Sequence, residues 1–339
     1  MNLKDAIKTA VRFAEKAKEP SVRQFVRFLP RCGDQPAKVC AQTLRCGVVV
    51  SLDEDVPNTL IKAELLAGVA KEAKASIQLV PAAYGGIEIK SGPATWWVHP
   101  EEIPQLGWFP EVPPAPAEFR ALDGDAVGRV IHAASKDLDQ VALRSVRFGL
   151  GYVEAIDKAR YARAGLGGPQ NGWVGVLPAE VFKSLPKGDL EASFAVRLAF
   201  LRVGDELRFA PYPPHPFPDC KALIPDHHEG AEAVVDVVAF RRAVKQAVDV
   251  SETGSVTLRI YPKEIVVSCW RMEGEPKLFE SVVGCQATGD NQLLLSGKNL
   301  AEALKIVATP RVRLRYHRPM DPLLMECWGY AEVLWPMLA

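Results

Sequence analysis

The chain has no run of 18 or more apolar residues, so no segment reads as a membrane-spanning helix. It also lacks an excess of either charge: 41 Lys and Arg are balanced by 41 Asp and Glu. That excludes a uniformly basic nucleic-acid binder and leaves the distribution of charge to decide. Its cysteines, Cys32, Cys40, Cys46, Cys220, Cys269, Cys285 and Cys327, are odd in number and form no CxxC pair. A disulfide framework and a zinc knuckle are both excluded, and reduced, mostly buried thiols are expected. The opening stretch MNLKDAIKTAVRFAEKAK intersperses lysines and an acid with apolar residues. It has no charged head followed by an apolar block, so no signal peptide is read and a cytoplasmic location is expected.

Motifs for chemistry are missing as well. There is no Gly-x-Ser-x-Gly and no Cys and His spaced as a nucleophile pair. GLGGPQNG at 165–172 is rich in glycine but lacks the Lys-Ser/Thr that completes a phosphate loop, and reads as a surface loop. PDHHEG at 225–230 offers Asp226, His227, His228 and Glu229, but consecutive side chains on an extended loop point alternately away from one another. No catalytic residue, metal or cofactor is expected.

What the chain does have is repetition. FPDCKALIP at 217–225 repeats the Phe-Pro-acid triplet of WFPEVPP at 108–114, and Phe109 and Phe217 lie 108 positions apart. With 339 residues, three domains of about 110 residues fit the length. Each third has one plan: a helical pattern, short alternating runs, a second helical pattern and more alternating runs. The helical patterns fall at 3–18 and 58–74, at 125–136 and just after Pro178, and at 238–248 and 296–307. In the middle third, 191–211 predicts two strands around a Gly-Asp turn. Val256, Leu258 and Ile260 alternate with Thr257, Arg259 and Tyr261, which predicts antiparallel sheets with one face covered by helices. The predicted class is α+β, with domains 1–114, 115–229 and 230–339.

The helices concentrate the positive charge. In the first, Leu3, Ile7, Ala10 and Ala14 form an apolar stripe, while Lys4, Lys8, Arg12 and Lys16 follow one another at i, i+4 on another side. Each such like-charged pair costs about 0.2–0.5 kcal/mol, so an anionic partner is the natural explanation. The middle third has Arg129, His132 and Lys136, and the last has Arg241, Arg242 and Lys245. The second helices add Lys62, Lys71 and Lys74, then Lys183 and Lys187, then Lys298 and Lys305. Lysines decorate any solvated helix, but recurrence in all three thirds favours phosphates. No helix-turn-helix, zinc finger or aromatic RNA-binding motif is present, so the predicted contact is with phosphates and independent of sequence.

Five stretches resemble the bacterial sliding clamp, the β subunit of DNA polymerase III. FPDCKALIP is similar to the segment joining the clamp's middle and last domains, and AIDKARYA at 155–162 to its Ala-Thr-Asp-Gly-His-Arg-Leu-Ala, with Asp157 and Arg160 retained. VLWPMLA at 333–339 resembles the clamp's tail, ALRSV at 142–146 its Leu-Arg-Gly-Val strand, and VCAQTLRCGVVVSL a strand pair of its first domain. The resemblance covers all three thirds. It implies three clamp domains per subunit, a head-to-tail homodimeric ring with antiparallel sheets outside and helices lining a hole for DNA, and no enzymatic activity. It also implies a groove for peptides of DNA polymerase and the clamp loader, formed here by Arg144, Ile156, Lys158, Ala159, Arg160, Tyr161, Pro218, Leu223, Val333, Trp335 and Met337. Apolar walls would take the peptide's anchors, with Arg144 and Arg160 at the rim.

Departures from the family are local. Lys158-Ala159 replaces Gly-His and Ile156 replaces threonine, which retunes the groove. At the subunit junction the resemblance points to Trp96 and Val98 meeting Asp249 and Val250, where the family has Ile-Leu. A carboxylate in an apolar seam is costly unless paired. Two readings follow: a ring-forming clamp, or a clamp-fold adaptor that binds partner peptides without closing a stable ring.

Overall fold

The computed structural model describes residues 1–14, 21, 24–102, 109–137, 139–167, 174–185, 190–195, 197–213, 215–224, 230–271 and 277–337. The first third contains α1 (Leu3–Phe13), β1 (Phe25–Leu29), β2 (Lys38–Gln42), β3 (Gly47–Ser51), β4 (Thr59–Lys62), α2 (Ala63–Glu72), β5 (Gln78–Pro81), β6 (Ile87–Ser91) and β7 (Ala94–Val98). The middle third contains β8 (Arg120–Leu122), α3 (Gly124–Val130), β9 (Ser145–Gly149), β10 (Tyr152–Ile156), β11 (Arg160–Gly165), β12 (Gly175–Pro178), β13 (Leu190–Ala195), β14 (Leu198–Val203) and β15 (Glu206–Pro211). The last third contains β16 (Ala231–Asp236), α4 (Val237–Val250), β17 (Ser255–Tyr261), β18 (Glu264–Trp270), β19 (Lys277–Ala287), β20 (Asn291–Ser296), α5 (Gly297–Ile306), β21 (Arg311–Tyr316), β22 (Leu323–Cys327) and β23 (Tyr330–Leu334).

The chain divides into two compact units, Met1–Gly124 with Glu180–Tyr212, and Asp125–Ala179 with Pro213–Ala339. In the first unit an antiparallel sheet has the order β4-β1-β2-β3-β15-β14-β13-β8, and β5-β6-β7 form a second sheet. The order in the second unit is β12-β9-β10-β11-β23-β22-β21-β16-β19-β18-β17-β20. The middle third thus gives β8 and β13–β15 to one unit and β9–β12 to the other. Two ladders join its strands to its neighbours' strands in equivalent ways: β3 pairs β15 with Gly47 opposite Phe209, and β11 pairs β23 with Tyr161 opposite Val333.

Apolar spacing explains the helices. Leu3, Ala6, Ile7, Ala10 and Phe13 are buried on one side of α1. Asn2, Asp236 and Ser296 cap α1, α4 and α5 by accepting from Asp5, Ala239 and Asn299 backbone N–H groups. In the second unit α4 and α5 lay Phe240, Val244, Leu300 and Leu304 on alternate residues of β17, β18 and β20. Among the described residues no helix is long and apolar enough to cross a membrane.

Four expectations need correction. The helix predicted at 58–74 begins only at Ala63, because Thr59–Lys62 pair with β1 as β4. α1 ends at Phe13, and Lys16 lies outside the described residues. The middle third's helices are short: α3 has 7 residues followed by a 3-10 turn at Ile131–Ala133, and the second is only a 3-10 turn, Ala179–Phe182. Pro186 ends the space available after Pro178 and disfavours helix in the residue before it. Finally, 191–211 belongs to three strands, because the chain turns again at Arg197, which adopts φ 77°.

Candidate functional site

In the second unit a row of side chains crosses β22, β23, β11 and β10. Register puts Leu324 beside Val333, Val333 beside Tyr161 and Tyr161 beside Ile156. All four are buried, and the segment after Phe217 lies over them, with Phe217 and Cys220 buried and Leu223, Ile224 and Trp335 partly exposed. Leu143 and Val176 extend the apolar surface. Five predicted groove residues, Ile156, Tyr161, Leu223, Val333 and Trp335, are therefore brought into one cluster. Pro218 contributes its carbonyl, which accepts from the Cys220 thiol.

The floor is held by a buried polar group. Glu154, 1% exposed, accepts from the Tyr161 hydroxyl at 2.6 Å and pairs with Arg147. Arg147 also stands 5.4 Å from the centre of the Phe217 ring. Burial and the bond to Glu154 push the Tyr161 phenol upward, so it remains a donor. Burial, then Glu154, pushes the Cys220 thiol up to about 12, which makes it an inert apolar residue.

Arg160 is not at the rim. It is 4% exposed and fastens the start of β11: Nε donates to Asp157, and the guanidinium reaches Glu302 at 2.6 Å and the His132 carbonyl at 2.5 Å. A buried guanidinium needs these partners, and none is close in sequence except Asp157. Tyr161 likewise forms the floor and has only 1% of its surface exposed. The exposed cation beside the groove is Lys158, 3.3 Å from Asp137, and Arg144 is half-buried at the end of a 3-10 turn. Backbone bonds hold the tail: Trp335 N–H donates to Ala159, and Met337 N–H to Leu294.

Leu143, Arg147, Glu154, Val176, Phe217, Cys220, Ile224 and Leu324 were not predicted for the groove. Glu154 lies two residues before Ile156 on β10, so side-chain alternation along that strand could have found it. The corresponding place in the first unit is filled differently. Phe200 and Phe209 stand where Leu324 and Val333 do, and a Cβ on Gly47 would be 2.3 Å from the Phe209 ring. Bulky rings fill that ladder opposite a glycine, and a cavity of about 480 Å³ lies farther along it beside Val49 and Leu207.

The basic helix residues fall into two groups. Lys4 donates to the Ala73 carbonyl beyond α2, Lys183 to the Arg12 carbonyl in α1, and Arg241 to Leu304 and Val307 at the end of α5. These three neutralise helix C-termini; Lys4 and Arg241 are half-buried, and Lys183 is exposed. His132 bonds the buried Glu332 at 3.1 Å. Lys8, Arg12, Lys62, Lys71, Lys74, Lys136, Arg242, Lys245, Lys298 and Lys305 are exposed, and Arg129 is half-buried.

Of the junction residues, Val98 is 2% exposed and belongs to its own core, paired with Ile87. Trp97 instead is 55% exposed, and Trp96 half-buried. Asp249 and Val250 are exposed at the end of α4. β7 is an edge of its sheet, and β19 pairs β16 only through Cys285–Ala287, which leaves Lys277–Gly284 open on that side. Residues 225–229 and 168–172 of the two loop motifs lie outside the described residues.

No protein-family model matches the chain, and no curated protein matches it in sequence. Solved structures do match. The DNA polymerase III β subunit of Thermotoga maritima is 18% identical, with TM-score 0.84 over 100% of this chain and 97% of that one. The sliding clamp of Bacillus subtilis is 16% identical, with TM-score 0.80 over 99% and 97%. The β subunit of Pseudomonas aeruginosa is 15% identical, with TM-score 0.80 over 99% and 98%. At such identities the likeness concerns architecture, and the chain has the fold of the bacterial DNA polymerase III β-subunit sliding clamps.

Proposed function

We propose that the chain is a DNA sliding clamp of three domains, 1–114, 115–229 and 230–339, that closes head to tail as a homodimer around duplex DNA. The observation carrying this reading is the pair of open strand edges. β3 and β11 each pair with the last strand of the following repeat, β15 and β23, while their counterpart β19 is open over most of its length. The last strand of the first repeat, β7, is an open edge as well. Two such edges are complementary between copies, and unpaired edges are otherwise an aggregation liability.

Register carried over from β11·β23 sets Trp97 of one copy opposite Glu280 of the next, and Trp96 opposite Ser281. Asp249 and Val250 form the helix side of this junction, where the Trp96 indole N–H is a donor for the carboxylate. The exposed lysines and arginines of the helices contact phosphates, and the groove takes short apolar peptides of a polymerase and a clamp loader. A closed ring keeps a tethered polymerase at high effective concentration beside its template. Its action is topological and non-enzymatic, and it is carried out in the cytoplasm.

The test is retention on nicked circular duplex after incubation with a bacterial clamp loader and ATP. A ring stays bound through gel filtration and is released when a restriction enzyme linearises the circle. Equal retention on linear and circular duplex would refute encirclement.

A further inference from the structure

Trp328 is 93% exposed, at the first position of the two-residue turn between β22 and β23. Gly329 follows with φ 68°, as a tight hairpin requires. Nothing in the turn needs an indole, and its whole face is left in water beside a cluster of arginines.

The charge around it is organised. β21 turns Arg311, Arg313 and Arg315 to one side, successive guanidinium positions being about 6.8 Å apart along the strand. Arg313 pairs with Glu326 across the β21·β22 ladder, and the same register continued sets Trp328 opposite Arg311. Arg313 lies 3.7 Å from Glu232 and Arg315 3.1 Å from Glu326, so both are compensated. Arg311 makes no ion pair among the described residues, because its neighbour on β16, Asp236, is occupied in capping α4. Arg129 approaches from α3, its guanidinium 3.7 Å from where a Cβ on Gly329 would stand. Trp328, Arg311, Arg313, Arg315 and Glu326 border an open cavity of about 420 Å³.

We propose that this is a binding site for single-stranded nucleic acid, one base stacking on Trp328 while a backbone phosphate meets Arg311. An indole face accepts any base, and guanidinium groups match phosphate oxygens. An acidic peptide would use the arginines but would leave the indole bare.

The test is fluorescence anisotropy of a labelled 12-nucleotide oligo-dT with the full chain, Trp328→Ala and Arg311→Gln. Loss of the stack weakens binding about tenfold. Arg311→Gln lowers the slope of log affinity against log salt by about 0.7. Unchanged thermal melting shows that both variants fold. The proposal is overturned if the oligonucleotide does not bind, if both variants bind it as the parent does, or if poly-glutamate competes and loses affinity on Trp328→Ala. Oligonucleotide binding needs no closed ring, and retention on circular duplex needs no Trp328, so this proposal and the clamp reading fail separately.

Discussion

Tyr161 stands directly opposite Val333 across the β11·β23 ladder, and its hydroxyl donates to the buried carboxylate of Glu154 at 2.6 Å. The groove therefore rests on a hydrogen bond, and its floor can be weakened without altering its apolar shape. Tyr161→Phe should cost about 1–3 kcal/mol by leaving a Glu154 oxygen unpaired. Urea unfolding checks this; a midpoint equal to the parent's would mean water satisfies Glu154 equally well.

Affinity for partner peptides should depend on the exposed part of the wall. Trp335 and Leu223 are partly exposed over the buried floor, so the double change Trp335→Ala, Leu223→Ala should lower affinity for an apolar clamp-binding peptide by a hundredfold or more, about 3 kcal/mol. Isothermal titration reads the loss, and light scattering should give the same mass as the parent. Undiminished affinity would move the peptide site elsewhere.

Much of the last third was legible in the sequence because its strands alternate cleanly and its helices carry cap residues; α4 and α5 lie within a few residues of the predicted 238–248 and 296–307. β7 was harder to read. ATWWV has Thr95 as its single polar residue, too little to set the parity of a half-buried strand, and pairing with β6 turns Val98 inward and Trp97 outward. Arg160 was misread for a related reason: Glu302 and the His132 carbonyl are 142 and 28 residues away, and local pattern cannot reveal such partners. The collapse of the middle third's second helix was readable in principle from Pro178 and Pro186.

Helix cations that cap should behave differently from those left exposed. Lys8→Glu, Arg12→Glu and Arg242→Glu together should shorten the lifetime on circular duplex at least tenfold, about 1.4 kcal/mol, while melting stays within a few degrees of the parent. Arg241→Ala should instead lower unfolding free energy by about 1–3 kcal/mol, because three bonds to the end of α5 are lost. If the triple variant is retained as long as the parent, those helix faces do not meet DNA.

Acid should loosen the anchorage of β11. Burial alone would raise the Glu302 carboxyl, but Arg160, with Lys136 and Lys298, holds it below the ordinary 4.5. A depressed folded value stabilises the native state above the unfolded value and loses that contribution as pH falls through the folded one. The parent should therefore exceed Glu302→Gln in stability by about 1–3 kcal/mol at pH 7, and the gap should close below pH 4.5. Denaturant titrations between pH 3 and 7 test the sign; a gap that widens in acid would contradict it.

Ring closure makes a demand on one strand edge. Val282 is 59% exposed on β19, and Trp97 is 55% exposed on β7. Neither is needed by the single chain, so Val282→Arg should leave melting almost unchanged. In a closed ring the same change forces a guanidinium into the seam beside β7 of the next copy, and Trp97→Arg does so from the other side. Each should convert a dimer of twice 37.1 kDa to monomer at micromolar concentration, on light scattering across a dilution series. A parent that is monomeric at every concentration would favour the adaptor reading, since the groove is complete within one chain. A dimer indifferent to both changes would mean that the copies meet elsewhere and that the β7 and β19 edges face solvent.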